Sequence, residues 1–138
     1  MKTLRALTVS AAALALTAAT VTTAAAAEAP AISSTIYLTN ADNNGTVAAA
    51  AGDVIQVDLS AVRETHASWL WVEVPTASVP GVLYRTAGAT SPTGDAYATF
   101  TAVATGTSDI TSYSVCRSDP GWSCPAVLLP WKATVNVT

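Results

Sequence analysis

The chain has 138 residues, 11% of them charged, and a formal net charge of −3 at pH 7. The first 27 residues hold Lys2 and Arg5. The remainder therefore sets four cations (Arg63, Arg85, Arg117 and Lys132) against nine carboxylates, a net charge of −5. That sign repels phosphate backbones and excludes nucleic acid as a partner. No later apolar run is long enough to span a bilayer, so no membrane insertion is expected.

In chain order, residues 1–27 ("MKTLRALTVSAAALALTAATVTTAAAA") come first. Two cations, an apolar stretch and a tail of small residues describe a secretory signal, with cleavage after Ala27. The protein is thus expected to be secreted, with 28–138 as one domain large enough to bury its own core. Its Ala/Thr-rich style suggests a bacterial product.

From Thr35 onward the apolar period is two. The segments 35–40, 46–50, 54–59, 69–74, 81–86, 96–103, 109–115 and 131–138 alternate or run apolar and are rich in β-branched and aromatic residues, which predicts strands. Turn signals separate them: Asp42-Asn43-Asn44-Gly45, read as a hairpin turn, then Gly52-Asp53, Pro80-Gly81, Ser91-Pro92-Thr93-Gly94, Gly106 and Asp119-Pro120-Gly121. No helical period competes. Seven to eight short strands at this spacing predict an all-β, immunoglobulin-like antiparallel β-sandwich. No cysteine precedes Trp71, so the sandwich lacks the bridge that antibody domains place in the core.

Both cysteines lie in "CRSDPGWSCP", at Cys116 and Cys124 around a Pro-Gly turn. In an exported chain such a pair forms a disulfide, and here it staples a loop more than it holds the fold. Catalysis is not expected. The one histidine, His66, lies between Glu64 and Ser68 with no nucleophile-elbow signature, and it reads as an exposed loop residue. One histidine and no free thiol cannot build a zinc shell, and Asp42-Asn43-Asn44-Gly45 lacks the later glutamate of a calcium loop. No metal and no cofactor are expected. Among the tryptophans, Trp71 reads as core, Trp69 as buried or at the sandwich end, and Trp131 as core or edge. Trp122 lies inside the staple, where it reads either as an exposed anchor or as simple loop structure. Arg117 pairs with Asp119 or faces a partner.

A sandwich serves binding by gathering loops at one end. The candidates are Ser60–Ser68, Gly88–Gly94 and the stapled loop. From Gly52 onward the chain resembles the chagasin-type inhibitors of papain-like cysteine proteases. Gly52-Asp53 opens a strand as in that family, and Trp69-Leu70-Trp71 matches its aromatic-any-tryptophan. Pro92-Thr93-Gly94 precedes Tyr97–Phe100, and Gly106-Thr107 precedes an alternating strand. Arg117, Pro120 and Trp122 are similar to the family's Arg-Pro-Trp loop, and Lys132–Thr138 suits its last strand. Where the family has Asn-Pro-Thr-Thr-Gly, this chain has Glu64-Thr65-His66-Ala67-Ser68, and the Arg-Pro-Trp triplet is split and enclosed by the cysteines.

The resemblance implies an immunoglobulin-like fold and a monomer that occludes a protease cleft without catalytic groups. Its contact residues would be Glu64, Thr65, His66, Ala67 and Ser68 in the first loop, Pro92, Thr93 and Gly94 in the second, and Arg117, Pro120 and Trp122 in the third. Two other readings stay open: a structural or adhesive module of the bacterial envelope, and a small carbohydrate-binding module that stacks sugars on Trp122 and a second exposed aromatic.

Overall fold

A computed structural model describes residues 21–26 and 31–138. The signal segment, with its cleavage point, falls largely outside them, and residues 21–26 carry no regular structure. Residues 31–138 fold as ten strands: β1 (Thr35–Thr39), β2 (Gly45–Ala49), β3 (Val54–Leu59), β4 (Val62–Arg63), β5 (Ala67–Trp71), β6 (Thr76–Ala77), β7 (Leu83–Thr90), β8 (Ala96–Ala102), β9 (Gly106–Ser118) and β10 (Leu128–Val137). One sheet runs β1-β3-β8-β7. The other runs β2-β10-β9-β5-β4, with β6 beside β9. This is the sandwich that the alternation predicts.

Its core follows from the two-residue period. Ile55, Val57 and Leu59 of β3 and Ala98 and Phe100 of β8 point inward from one sheet. Ile110 of β9 and Trp131, Ala133 and Val135 of β10 point inward from the other, and all are buried. Burying each large side chain contributes about 1.5–3 kcal/mol. Trp131 and Trp71 are both core residues whose indole N–H groups donate to Thr39 O (3.1 Å) and Ser60 O (3.0 Å), so neither leaves a polar atom unsatisfied.

The finer differences from expectation have local causes. Two pairings, β1 with β3 and β2 with β10, are parallel. A parallel pair needs an excursion between its strands, and here β2 is that excursion: the chain leaves the first sheet after β1, pairs in the second, and returns as β3. Asp42-Asn43-Asn44-Gly45 is therefore not a hairpin turn but a sheet-crossing connection. It contains a 3₁₀ turn (Asn40–Asp42) capped by Thr39, whose hydroxyl accepts from Ala41 N while Asp42 Oδ2 accepts from Thr39 N (2.7 Å). The predicted strand 69–74 ends early: β5 stops at Trp71, residues 72–75 join no strand, and the short β6 follows Pro75, which has no N–H for a ladder. Ser112 Oγ donates to Glu73 O at 2.7 Å across that break. β9 runs three residues beyond the predicted end at 115, because Cys116, Arg117 and Ser118 pair with Trp69, Ser68 and Ala67.

Asp53, in the Gly52-Asp53 opening, is 7% exposed and accepts from Ser34 N (2.9 Å) and Ala50 N (2.8 Å). The Ala50 and Ser34 backbone N–H groups hold its carboxyl below the usual range. It pins the entry into β1 and the end of β2 to the start of β3.

Candidate functional site

Three connections meet at one end of the sandwich. The first, expected as a loop over Ser60–Ser68, is a tight hairpin: β4 and β5 are paired, and Glu64 N donates to Ala67 O at 2.8 Å. Only Glu64, Thr65 and His66 form its tip, while Ala67 and Ser68 belong to β5 and pair with Ser118 and Arg117. The second is shorter than Gly88–Gly94, because β7 continues through Thr90 and leaves Ser91–Asp95 as the turn. The third is residues 119–127, since Cys116 and Arg117 stand on β9 and only their side chains serve the loop.

The turn 91–95 is built around Asp95. Its Oδ1 accepts from Ala61 N (2.8 Å), and its Oδ2 accepts from Thr93 Oγ1 (2.9 Å) and Ser91 Oγ (3.3 Å). The Ala61 N–H, then the Thr93 hydroxyl, lower its pKa, with smaller help from Ser91 and the Arg63 charge. Gly94 closes the turn with φ +92°, and a Cβ there would stand 2.5 Å from Leu70 Cδ2. Only glycine lets the turn lie directly against β5, where Gly94 O accepts from Trp71 N at 2.8 Å. Arg63 closes the gap from the other side, donating from Nη2 to Thr93 O at 2.7 Å. Pro92 and Gly94 share an open groove of about 460 Å³ with Leu70 and Arg117.

The stapled loop is held differently. Cys116 and Cys124 are bridged, with Cα atoms 5.9 Å apart. Asp119 N donates to His66 O at 3.0 Å, and Trp122 N donates to Asp119 O at 3.0 Å. The imidazole of His66 lies flat on the indole of Trp122, with centroids 3.7 Å apart and planes 7° from parallel. Trp122 stays 57% exposed. Asp119 faces His66, Oδ2 to Nδ1 3.7 Å, instead of pairing with Arg117 as the sequence allowed. His66 is accordingly half-buried between the first and third loops, not a free loop histidine.

Contacts therefore tie the first loop to the second through Arg63 and Thr93, and to the third through His66, Trp122 and Asp119. Glu64, Thr65, Pro92, Thr93, Arg117 and Pro120 are exposed around them. Sequence reasoning missed Arg63, Asp95 and Leu70. Asp95 alone left a trace, as the acid that ends a Ser-Pro-Thr-Gly turn. Among the described residues no three His, Cys, Asp or Glu side chains converge as metal ligands, and no helix is long and apolar enough to cross a membrane.

No family model matches the chain, and no curated protein matches it. Solved structures similar to this chain include the following two. Amebosin covers 78% of this chain and 100% of its own at 20% identity, with a TM-score of 0.42. The cysteine protease inhibitor EhICP2 from Entamoeba histolytica covers 76% of this chain and 96% of its own at 15% identity, with a TM-score of 0.50. The chain is thus similar in fold to that cysteine protease inhibitor.

Proposed function

We propose that this protein is a secreted, monomeric inhibitor of papain-like cysteine proteases that blocks the cleft with the three-loop end and performs no catalysis. The observation that carries the reading is the mutual bracing of the loops: the Arg63–Thr93 hydrogen bond on one side and the His66–Trp122 stack on the other. A surface ordered before binding loses little conformational entropy on docking. A hairpin tip closed by the Glu64–Ala67 hydrogen bond does not lie extended in a cleft as a substrate does, so it occupies the site without offering a bond to cleave. Trp122, exposed and fixed in orientation, has the character of an interface anchor, and Arg117 and Pro92 flank the same end. The likeness in fold to a named cysteine protease inhibitor supports the reading.

The carbohydrate reading asks for two coplanar aromatics side by side. His66 and Trp122 are instead stacked on each other, and one face of the indole is already covered.

The test is a titration of the mature protein against several papain-like proteases, with Trp122→Ala in parallel. Inhibition of at least one protease is expected, weakened by about 2 kcal/mol in the variant. Papain itself should be inhibited weakly or not at all, because the first loop differs at every position from the family's occluding motif. Inhibition unaltered by Trp122→Ala and by removal of the disulfide would overturn the assignment.

A further inference from the structure

Beside the three loops, on the inner face of the β9 sheet, lies an open groove of about 340 Å³. Its form follows from strand register. Ser114 of β9 pairs with Trp71 on β5 and with Leu129 on β10, and one step inward Ser112 pairs with Trp131. Ser114 thus stands small between large neighbours, and the groove above it is walled by Trp71, Leu129 and Trp131. Trp69, one step toward the loops, completes an indole-rich wall, and Glu64 stands at the mouth.

Two polar groups in this groove lack partners. Ser114 is 3% exposed, yet its hydroxyl bonds to no described residue, whereas Ser108 accepts from Val79 N and Ser112 donates to Glu73 O. Among the described residues no fully enclosed side-chain polar atom goes unpaired, so the Ser114 oxygen opens into the groove. The Glu64 carboxylate has no ion pair or hydrogen bond among the described residues. The adjacent cation, Arg63, is turned away toward Thr93 O and Ser68 Oγ. The other amide atoms at the rim are largely spent: Asn40 exchanges hydrogen bonds with Ser60, and Asn43 Oδ1 accepts from Lys132 N.

We propose that this groove is a subsite for a basic side chain, arginine or lysine, carried by the protein partner. The indoles take the apolar stem and attract the cation through their ring faces. Glu64 accepts a charge-assisted hydrogen bond at the mouth, and the Ser114 hydroxyl supplies a second acceptor on the floor. A neutral polyol would leave the carboxylate without a counter-charge, and an acidic side chain would be repelled by it. The inference rests on the reading that this end meets a protein, but its test does not require the protease.

The mature protein is titrated with N-acetylargininamide and, separately, with its neutral isostere N-acetylcitrullinamide, following tryptophan fluorescence. Saturable quenching by the arginine derivative is expected, with the citrulline derivative and the Glu64→Gln variant each binding roughly tenfold more weakly. Glu64 is exposed, so this variant leaves folding intact. Ser114→Val, checked for a native melt, should also weaken binding of the arginine derivative. Where Ser114→Val does not fold, the ratio of arginine to citrulline binding in wild type and Glu64→Gln decides alone. Equal affinity for the two derivatives, or quenching unchanged in Glu64→Gln, overturns the proposal, as does no saturable quenching. A protein that binds the arginine derivative but inhibits no protease would retain this subsite and lose the proposed function.

Discussion

The turn at 91–95 and the loop at 119–127 stand at the same end of the molecule and are rigid for opposite reasons. The turn is a polar lattice: Asp95 gathers a backbone amide and two hydroxyls, Arg63 ties Thr93 from outside, and Gly94 lets the whole sit on Leu70. The loop has few such bonds. Among the described residues, positions 123, 124, 125, 126 and 127 make no hydrogen bond, and its order comes from the disulfide, the His66–Trp122 stack and the contacts of Asp119. A five-residue turn can satisfy itself with local hydrogen bonds because its donors and acceptors lie within reach. A nine-residue loop cannot, and a covalent closure with an aromatic lid replaces the missing bonds.

This contrast can be broken most severely at Gly94. Gly94→Ala forces a side chain into a positive φ and against Leu70, and it should destabilise by about 3 kcal/mol. Thermal melts should show a lower midpoint, and amide shifts should move along β5 as well as in the turn. Replacing both cysteines, Cys116→Ser with Cys124→Ser, should cost about 2.5 kcal/mol from loop closure over eight residues of separation. The cooperative melt should survive, with faster amide exchange confined to the third loop and the His66 tip.

Acid separates the two regions more finely. The folded pKa of Asp95 is lowered, so its contribution is complete above the unfolded value of about 3.9 and is lost as pH falls through the lower folded one. The turn should therefore loosen below about pH 4 while the disulfide loop keeps its covalent closure. Asp95→Ala should reproduce this loosening at neutral pH at a cost of about 1–2 kcal/mol, since it leaves the Ala61 N–H without its acceptor. Chemical shifts of residues 91–95 against pH would check both. The smallest effect on stability belongs to Trp122→Ala, about 0.5–1 kcal/mol for one lost aromatic pair. Loss of the ring-current shift on the His66 ring protons would report the broken stack.

Much of the architecture was legible in the residues. Alternation marked Ile55, Val57 and Leu59, and also Ala98 and Phe100, because a strand with one buried face must repeat every two residues. Trp71 was identified as core from its place in such a run. The stapling of Cys116 to Cys124 was legible because eight residues around a Pro-Gly turn bring two thiols together without help from the rest of the chain. Other features depend on partners remote in sequence. Nothing in Asp42-Asn43-Asn44-Gly45 tells a hairpin from a sheet crossing, since both need a turn, and the choice lies in the pairing of β2 with β10 nearly ninety residues away. The end of β9 is set by β5 and not by its own residues.

The site shows the same division. Sequence alone determined that the chain would alternate into a sandwich, and that a Pro-Thr-Gly turn and a stapled loop enclosing Trp122 would punctuate it. Each of these follows from short-range chemistry: side-chain period, turn residues, ring closure. Only the tertiary structure decided that Arg63 would reach Thr93, that His66 would lie flat on Trp122, that Asp119 would turn to His66 instead of Arg117, and that Ser114 would floor a groove between Trp71 and Trp131. Those contacts join residues between 30 and 60 positions apart, and no local preference encodes them. They exist because two sheets packed on one core bring the ends of β4, β5, β8, β9 and β10 to the same place.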